Sequence, residues 1–238
     1  MFFAAKSWPG GVWLADRLPG QGNLGLVAAD HRLSVGASGI GLGLARALVA
    51  SGRVRPNAAG ADASVTVGGP AACLAGSCSQ ATLQQIAKAE AIMPVLHLDP
   101  ERIVTAKDEA QRALAWARQR LADGPVLIAS SSSPEDVAAL QARHGRDAAG
   151  HAIEQAMADI ADGLVQSGVR RLVGAGGETS GAVVDRLGIP GFLVGAEIAA
   201  GVPVLRAVGA KEGDMLLALK SGNFGGPEFF SDALSLMR

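Results

Sequence analysis

Residues 174–188 read GAGGETSGAVVDRLG, a stretch in which glycines and small residues follow an apolar run and give way to helical spacing. This order predicts a strand, a tight glycine-rich turn and then a helix, whose N-terminus Thr179 or Ser180 is placed to cap with its hydroxyl. Glycines let the backbone approach a ligand, and helix N-termini attract anions. We therefore expect the amides of Gly176 and Gly177 to cradle phosphate oxygens.

Two other loops share this small, polar and glycine-bearing character, and each also follows an apolar run. They read GSCSQAT at residues 76–82 and KSGNFGGP at residues 220–227. Four residues with small side chains come directly after predicted strands: Ser77, Ser130, Gly176 and Ser221. Parallel α/β sheets bind ligands outside the carboxyl ends of their strands, so this shared position predicts a phosphate or nucleotide pocket.

The composition favours an α/β fold. Of the 238 residues, 49% are hydrophobic but only 4% are aromatic and none is Tyr, so the core must be built from Ala, Val, Leu and Ile, as in parallel sheets. From Pro70 onward, strand-like runs alternate with helical patterns, including one predicted helix over 105–122. This alternation predicts a mainly parallel three-layer sheet with helices on both faces. The net charge of −1 shows no excess of basic residues of the kind that indicates nucleic-acid binding.

The cysteines and the hydropathy pattern indicate whether the chain has disulfides, metal ligands or membrane spans. Cys73 and Cys78 lie too close in sequence for a disulfide between them to stabilise the fold, and we interpret them as reduced, small core residues. No Cys pair and no His cluster has the spacing of metal ligands, so no metal-ligating residue is predicted. The chain shows no signal peptide and no apolar run long enough for a bilayer, which predicts a cytoplasmic protein without a membrane partner.

The N-terminal part of the chain differs in character from the rest. Residues 1–32 concentrate aromatic residues and Pro-Gly turns, and we assign them no function. Residues 33–48, LSVGASGIGLGLARAL, resemble the cofactor loop of short-chain dehydrogenases, but the spacing is one residue short and the chain lacks the Tyr that those enzymes use. A strand, turn and helix packed against the main body is the preferred interpretation, followed by a linker over 51–69.

Several motifs together resemble the four-carbon acid sugar kinase family. The matching segments are GGETSGAVV at 176–184, the Val-Pro pair at 202–203 after a glycine, and LKSGNFGGPEFF at 219–230, while the loop at 76–82 is similar to the family's first nucleotide loop. The resemblance extends from about Gly36 to the C-terminus. It implies two α/β domains that close on each other. The C-terminal domain binds ATP, the N-terminal domain binds a four-carbon sugar acid such as a tetronate, threonate or erythronate, and the product is the 4-phosphate.

The resemblance also implies a set of ATP contacts, carried over by position. They are Ser77, Gly176, Gly177, Glu178, Thr179 and Gly222. Glu178 either accepts from a ribose hydroxyl, holds Mg²⁺ through water, or is an acid stabilised by the helix dipole. Lys220 either offsets phosphate charge or is an ordinary solvated lysine. The chain has no Walker P-loop, so phosphate binding would rest on these loops.

The chain departs from the family near its N-terminus. The family's acidic Ala-Asp-Asp-x-Thr-Gly-Ala-like motif has no match, and Asp30, in Ala-Asp-His-Arg, is not one. We expect residues 1–60 to be a remnant of the sugar-binding domain with a linker, and residues 61–238 to be the nucleotide-binding domain. A truncated kinase, inactive alone and with no catalytic residue assigned, is one expectation, and a non-catalytic nucleotide- or phosphate-binding module is the alternative. The helix over 148–167 and the N-terminal segment are candidate surfaces for a homodimer.

Overall fold

Seven strands form one mixed sheet in the computed structural model of the chain, which describes residues 6–8, 11–13, 38–55, 66–106 and 108–237. Numbered along the described chain, the strands are β1 (Lys6–Trp8), β2 (Gly11–Trp13), β3 (Ala71–Ala75), β4 (Val95–His97), β5 (Val126–Ala129), β6 (Arg171–Ala175), β7 (Gly191–Ala199), β8 (Val202–Val208) and β9 (Leu216–Lys220). The sheet order is β4-β5-β3-β6-β9-β8-β7, while β1 and β2 pair separately. The strands from β4 to β9 in this order run parallel, and β8 and β7 then continue the sheet antiparallel.

The structure describes eight helices. They are α1 (Ser38–Ala50), α2 (Gln80–Ala89), α3 (Pro100–Thr105), α4 (Glu109–Arg118), α5 (Pro134–His144), α6 (Arg146–Gln166), α7 (Gly177–Leu187) and α8 (Phe229–Leu236). Of these, α2 to α6 connect the parallel strands β3 to β6. Capping residues fit the sequence: Ser79 accepts from the Thr82 amide at the start of α2, and Ser133 accepts from the Asp136 amide at the start of α5.

Both faces of the sheet are covered. Cys73 of β3 lies in a hydrophobic cluster with residues of α2 and α8. Its neighbour Leu74 lies in a different cluster with residues of α4, α6 and α7. Successive strand residues point to opposite faces, so two layers of helices are needed to bury a strand of this kind. The predicted three-layer α/β fold with helices on both faces is confirmed.

Two local predictions for the main sheet need correction. The predicted helix over 105–122 is the shorter α4, Glu109–Arg118, and a separate helix, α3, ends at Thr105 before it. The Glu109 carboxylate is buried at this junction, where it accepts from the Asp99 amide at 2.8 Å and pairs with Arg112. The antiparallel order of β7 and β8 also departs from the parallel pattern, since these strands are joined by a short turn instead of a helix.

By its internal contacts the chain divides into two compact units, residues 1–60 and 61–238. In the first unit, the helix predicted within residues 33–48 is present as α1, which already includes Gly39 and Gly41; residues 33–37 lie outside the described residues. Most of the predicted linker, residues 56–65, also lies outside them. In the part of the chain that the structure describes, no helix has the length and apolar character to span a bilayer.

Candidate functional site

The loops that follow the central parallel strands leave the sheet side by side at its carboxyl edge. Main-chain hydrogen bonds connect them. The Gly76 amide donates to the last carbonyl of β6 at 2.9 Å, the Gly176 amide to the last carbonyl of β9 at 2.9 Å, and the Ser130 amide to the last carbonyl of β3 at 2.8 Å. The prediction that Ser130, Gly176 and Ser221 directly follow strands is confirmed, and Ser77 follows β3 after one intervening residue.

Gly176 is the tightest point of the turn after β6. Its φ is +139°, a conformation that favours glycine, and a Cβ there would lie 3.1 Å from both the Ser77 nitrogen and Thr179 Oγ1. The Gly176 amide is already bonded to the Lys220 carbonyl. The prediction that this amide is free to cradle phosphate is therefore wrong, and the glycine instead lets the turn pack against the loop of Ser77.

The first turn of α7 presents amides without acceptors in the helix. The first helical bond runs from the Ser180 amide to the Gly176 carbonyl at 2.9 Å, so the amides of Gly177, Glu178 and Thr179 precede it. No side chain caps this end, and the predicted cap by Thr179 or Ser180 is wrong because both residues lie inside the helix. Uncapped first-turn amides and the positive end of the helix dipole together fit an anion.

Space is available beside these amides. A Cβ added at Gly177 would meet only Ser221 Oγ, at 4.0 Å, among its surroundings. Gly177 and Glu178 are exposed, whereas Thr179 is buried beneath the turn. The open side of the α7 N-terminus is thus the side on which a phosphate group could approach the backbone.

The loop after β3 and the loop after β9 are fastened to each other. Ser79 Oγ donates to the Gly222 carbonyl at 2.7 Å, and Thr82 Oγ1 donates to the same carbonyl at 2.9 Å. A Cβ at Gly222 would overlap Ser77 Oγ, which itself accepts from the Ser79 amide at 3.2 Å. The structure therefore brings Ser77, Gly176, Thr179 and Gly222 together, with Gly177 and Glu178 at the open edge.

Lys220 is buried between these loops, with 2% of its surface exposed. Its Nζ donates to Thr82 Oγ1 at 2.9 Å, to the Gly222 carbonyl at 3.0 Å and to the Ser221 carbonyl at 3.3 Å. Burial lowers the pKa of the lysine from 10.5 to about 8, and no carboxylate of the described residues pairs with it. The interpretation of Lys220 as a solvated lysine is wrong; its action on phosphate charge stays a prediction.

Gln85 of α2 is a site residue that sequence reasoning missed. Its Nε2, which has two protons to share, lies within hydrogen-bond distance of the carbonyls of Phe224, Gly225 and Gly226, at 3.1, 3.1 and 3.0 Å. It is 1% exposed, so it supports the glycine-rich loop from inside the protein. The available signal was a polar residue three positions after Thr82, on the face of α2 that also buries Ile86.

A cleft of about 130 Å³ adjoins the α7 N-terminus on the side of β5. Glu178 and Thr179 form part of its wall, and the loop after β3, Pro100 of α3, the residues after β5 and the helices α5 and α6 form the rest. The lining residues that follow β5 or belong to α5 and α6 include Ser130, Ser132, Asp136, Val137, Leu140, Gly150 and Ile153. Sequence analysis placed Ser130 at this edge but did not identify the contribution of α5 and α6.

The site has no preformed metal cluster in the described ranges, where no three His, Cys, Asp or Glu side chains group together to hold an ion. Mg²⁺ bound with a nucleotide commonly uses one or two carboxylates together with phosphates and waters, so a cluster of this kind is not required. Glu178 is a carboxylate exposed next to the uncapped amides. The uncapped amides and the open space at Gly177 fit a triphosphate.

The chain is similar to known proteins in both sequence and structure. Residues 72–230 match the family model described as "Nucleotide-binding C-terminal domain". Two similar relatives are named 3-oxo-tetronate kinase. The relative from Methylobacterium radiotolerans is 68% identical over 214 residues, which are 90% of this chain and 50% of the relative. The relative from Cupriavidus necator is 45% identical over 212 residues, which are 89% of this chain and 48% of the relative.

A solved structure is similar as well. The crystal structure of a Haemophilus influenzae protein superposes with a TM-score of 0.74 at 36% identity, over 92% of this chain and 51% of that one. The chain therefore spans about half the length of the curated relatives and of the solved structure that it matches. The family-model match over residues 72–230 includes all three loops at the carboxyl edge of the sheet.

Proposed function

The chain belongs to the nucleotide-binding C-terminal domain family of the four-carbon acid sugar kinases, and from this premise we propose that it binds ATP together with Mg²⁺. In this proposal the phosphoryl acceptor is the O4 hydroxyl of a four-carbon sugar acid of the tetronate, threonate or erythronate class. The name of the relatives, 3-oxo-tetronate kinase, supports an acceptor of this class. ATP supplies the phosphoryl group when it is bound.

One observation carries the proposal: the uncapped N-terminus of α7 opens beside Ser77 and Gly222. Phosphoryl transfer depends mainly on positioning and on stabilising charge. The amides of Gly177, Glu178 and Thr179 offer fixed donors for phosphate oxygens, and they need no reorganisation because the turn is already held by the sheet edge. The Ser77 hydroxyl accepts from the Ser79 amide and keeps its own proton to donate.

Glu178 has two proposed roles, which an experiment can separate. Its exposed carboxylate either accepts from a ribose hydroxyl or holds Mg²⁺ through water. Glu178→Gln keeps an acceptor for a hydroxyl but removes the charge that a cation needs. A weaker dependence of ATP binding on Mg²⁺ in Glu178→Gln would support the metal role, and an unchanged dependence would support the ribose role.

Isothermal titration with ATP tests the proposal. We expect ATP with Mg²⁺ to bind the chain and to raise its thermal unfolding midpoint, because a ligand that binds only the folded state stabilises it. Chelation of Mg²⁺ should weaken both effects. Absence of ATP binding at any Mg²⁺ concentration would contradict the proposal.

A non-catalytic nucleotide-binding module is the second candidate function. It is considered because the chain spans about half the length of the kinases that it matches. Turnover of ATP with a panel of tetronates, threonates and erythronates decides between the two. Phosphorylated acid in the product mixture supports the kinase, whereas ATP binding without turnover on any member supports the module.

A further inference from the structure

Lys220 is a buried cation that no carboxylate of the described residues neutralises. The hydrogen bonds of its Nζ all go to neutral oxygens, which are Thr82 Oγ1 at 2.9 Å, the Gly222 carbonyl at 3.0 Å and the Ser221 carbonyl at 3.3 Å. The ring of Phe229 also lies near, with its centroid 5.7 Å from Nζ. A buried charge without a counter-charge is unfavourable, so an anion bound close by would stabilise this ammonium.

The ammonium fixes the direction of two successive peptide groups. Because Nζ donates to the carbonyls of Ser221 and Gly222, both carbonyls point toward the buried ammonium. The C=O and N–H groups of a trans peptide point in opposite directions, and the described chain contains no cis peptide. The amides of Gly222 and Asn223 therefore point away from the ammonium, and neither has an acceptor among the described residues. Lys220 thus turns two free donors outward.

These two amides border the space in front of α7. Ser221 and Asn223 are exposed, and Ser221 Oγ lies 4.0 Å from the position of a Cβ added at Gly177. The Gly176 amide donates to the Lys220 carbonyl at 2.9 Å, which holds the two loops together. Successive amides that point the same way attract anions, and here they stand beside the uncapped first turn of a helix. The two loops therefore offer donors to more than one phosphate group of the same ligand.

The other charged groups around Lys220 are paired with each other or lie elsewhere on the elements packed against it. Lys88 of α2 pairs with Glu228, just before α8, at 3.8 Å, and Arg206 of β8 pairs with Asp214 at 2.9 Å. The remaining titratable groups on these elements are Cys73 of β3, Cys78 of the loop after it, Arg171 of β6, Glu178 of α7 and Asp232 of α8. No ion pair of the described residues includes Lys220, so its counter-charge is left to a bound ligand.

We propose that Lys220 is a positioning residue for the polyphosphate of ATP: it holds the amides of Gly222 and Asn223 outward, places a positive charge behind them, and takes up a proton when ATP binds wherever it is neutral in the free chain. The inference rests on the proposed function, because ATP is taken as the anion at the α7 N-terminus. An anion close to an ammonium favours the protonated form. Linkage is reciprocal, so protonation of Lys220 favours ATP binding by the same factor.

This coupling makes the affinity for ATP depend on pH. Burial lowers the pKa of Lys220 from 10.5 to about 8 in the free chain, and bound phosphate raises this pKa again. At about pH 7 the lysine is already protonated, whereas above about pH 8 its protonation must accompany ATP binding, and the affinity falls by up to about tenfold per pH unit. A terminal phosphate titrates at about pH 6, so the charge of the nucleotide itself is constant in the alkaline range.

Titration calorimetry with ATP and Mg²⁺, in buffers of different ionisation enthalpy, counts the protons taken up on binding. At about pH 9 the wild-type chain should take up most of one proton per ATP, and its affinity should be on the order of tenfold lower than at about pH 7. Lys220→Met should show no uptake at about pH 9, and its affinity, weaker than that of the wild-type chain at about pH 7, should not change between the two pH values. Lys211→Met, at an exposed lysine, should keep the wild-type uptake.

The calorimetry separates failure of this inference from failure of the proposed function. ATP that binds the wild-type chain without proton uptake at about pH 9 would overturn the inference and leave the proposed function standing. An uptake that persists in Lys220→Met would also overturn it, because another group would then be titrating. Absence of ATP binding to the wild-type chain at about pH 7 would overturn the proposed function and, with it, the inference. The wild-type measurement needs no substitution, so it decides the matter even where Lys220→Met does not fold.

Discussion

Two adjacent glycines, Gly176 and Gly177, have different roles in the turn after β6. Gly176 has a φ of +139°, and a Cβ added there would lie 3.1 Å from neighbouring atoms. The fold of the turn therefore requires glycine at this position. Gly177 has open space around it and carries an amide that no helical carbonyl accepts. Sequence reasoning treated them alike, because a run of glycines does not reveal which amide is already bonded.

Gly177→Val should abolish ATP binding and leave the fold intact. The valine side chain would occupy the space through which a phosphate approaches the first-turn amides of α7. Stability should change by only about 0.5 kcal/mol, because the helix propensities of valine and glycine differ by roughly that amount. Calorimetric titration gives the affinity, and thermal unfolding checks the fold.

The matched control is Gly181→Val, at an exposed glycine of the same helix where an added Cβ also meets nothing. It should keep the ATP affinity of the wild-type chain. Wild-type affinity in Gly177→Val would remove this turn from the site.

Lys220 makes stability depend on pH in the alkaline range. Its pKa is about 8 in the folded chain, below its ordinary value of 10.5, because burial disfavours the charged form. The unfolded state therefore binds more protons between these values, and stability rises with pH across that window. Below about pH 8 this gain is absent. We expect the free energy of unfolding of the wild-type chain to rise from pH 8 to 10.5 relative to that of Lys220→Met.

Denaturant unfolding at several pH values measures this difference. Lys211→Met, at an exposed lysine, controls for the loss of one positive charge. A wild-type minus Lys220→Met difference that stays constant across the window would show that the buried ammonium does not titrate there.

At the level of secondary-structure elements, α2 organises the loop after β9. One face of α2 carries Thr82 and Gln85, whose side chains bind backbone carbonyls of residues 222–226. Five main-chain carbonyls of the segment 221–226 are bonded to side chains of α2, its cap Ser79, or Lys220. The loop has no regular secondary structure of its own, but these side chains hold its backbone in place near Gly222.

Gln85→Leu should loosen this loop. The change leaves the carbonyls of Phe224, Gly225 and Gly226 without their buried donor, at a cost of about 1–3 kcal/mol in the free energy of unfolding. We also expect weaker ATP binding, because Gly222 belongs to the same loop. Urea unfolding and titration calorimetry measure the two effects.

Gln84→Leu is the control for this change. Gln84 precedes Gln85 on α2 but is exposed, so its replacement should have little effect on either quantity. Equal stability of the two variants would mean that the Gln85 bonds contribute nothing net.

For the whole molecule, the unit of residues 61–238 contains every strand of the seven-stranded sheet and all of the candidate site. A chain that begins at Ala61 should therefore unfold cooperatively and bind ATP with the wild-type affinity. Its unfolding midpoint should stay within about 4 °C of the full chain, equivalent to roughly 1 kcal/mol for a domain of this size. Circular dichroism during heating and titration calorimetry check both expectations.

A shortened chain that unfolds gradually, without a cooperative transition, would contradict this prediction. Loss of ATP binding with an intact transition would instead show that residues 1–60 contribute to the site. The full chain, measured alongside under the same conditions, is the control.

The sequence by itself determined the α/β class, the ends of the central strands and the residues that follow them, because apolar runs, glycine-rich turns and helical spacing are local properties of the chain. Only the tertiary structure decided which loops meet and which amides remain free. The Ser79 hydroxyl binds the Gly222 carbonyl across 143 positions of sequence, and β9 inserts between β6 and β8. Such contacts depend on strand order and long-range pairing, so the Gly176 amide could be recognised as bonded, and the Gly177 amide as open, only after the sheet was assembled.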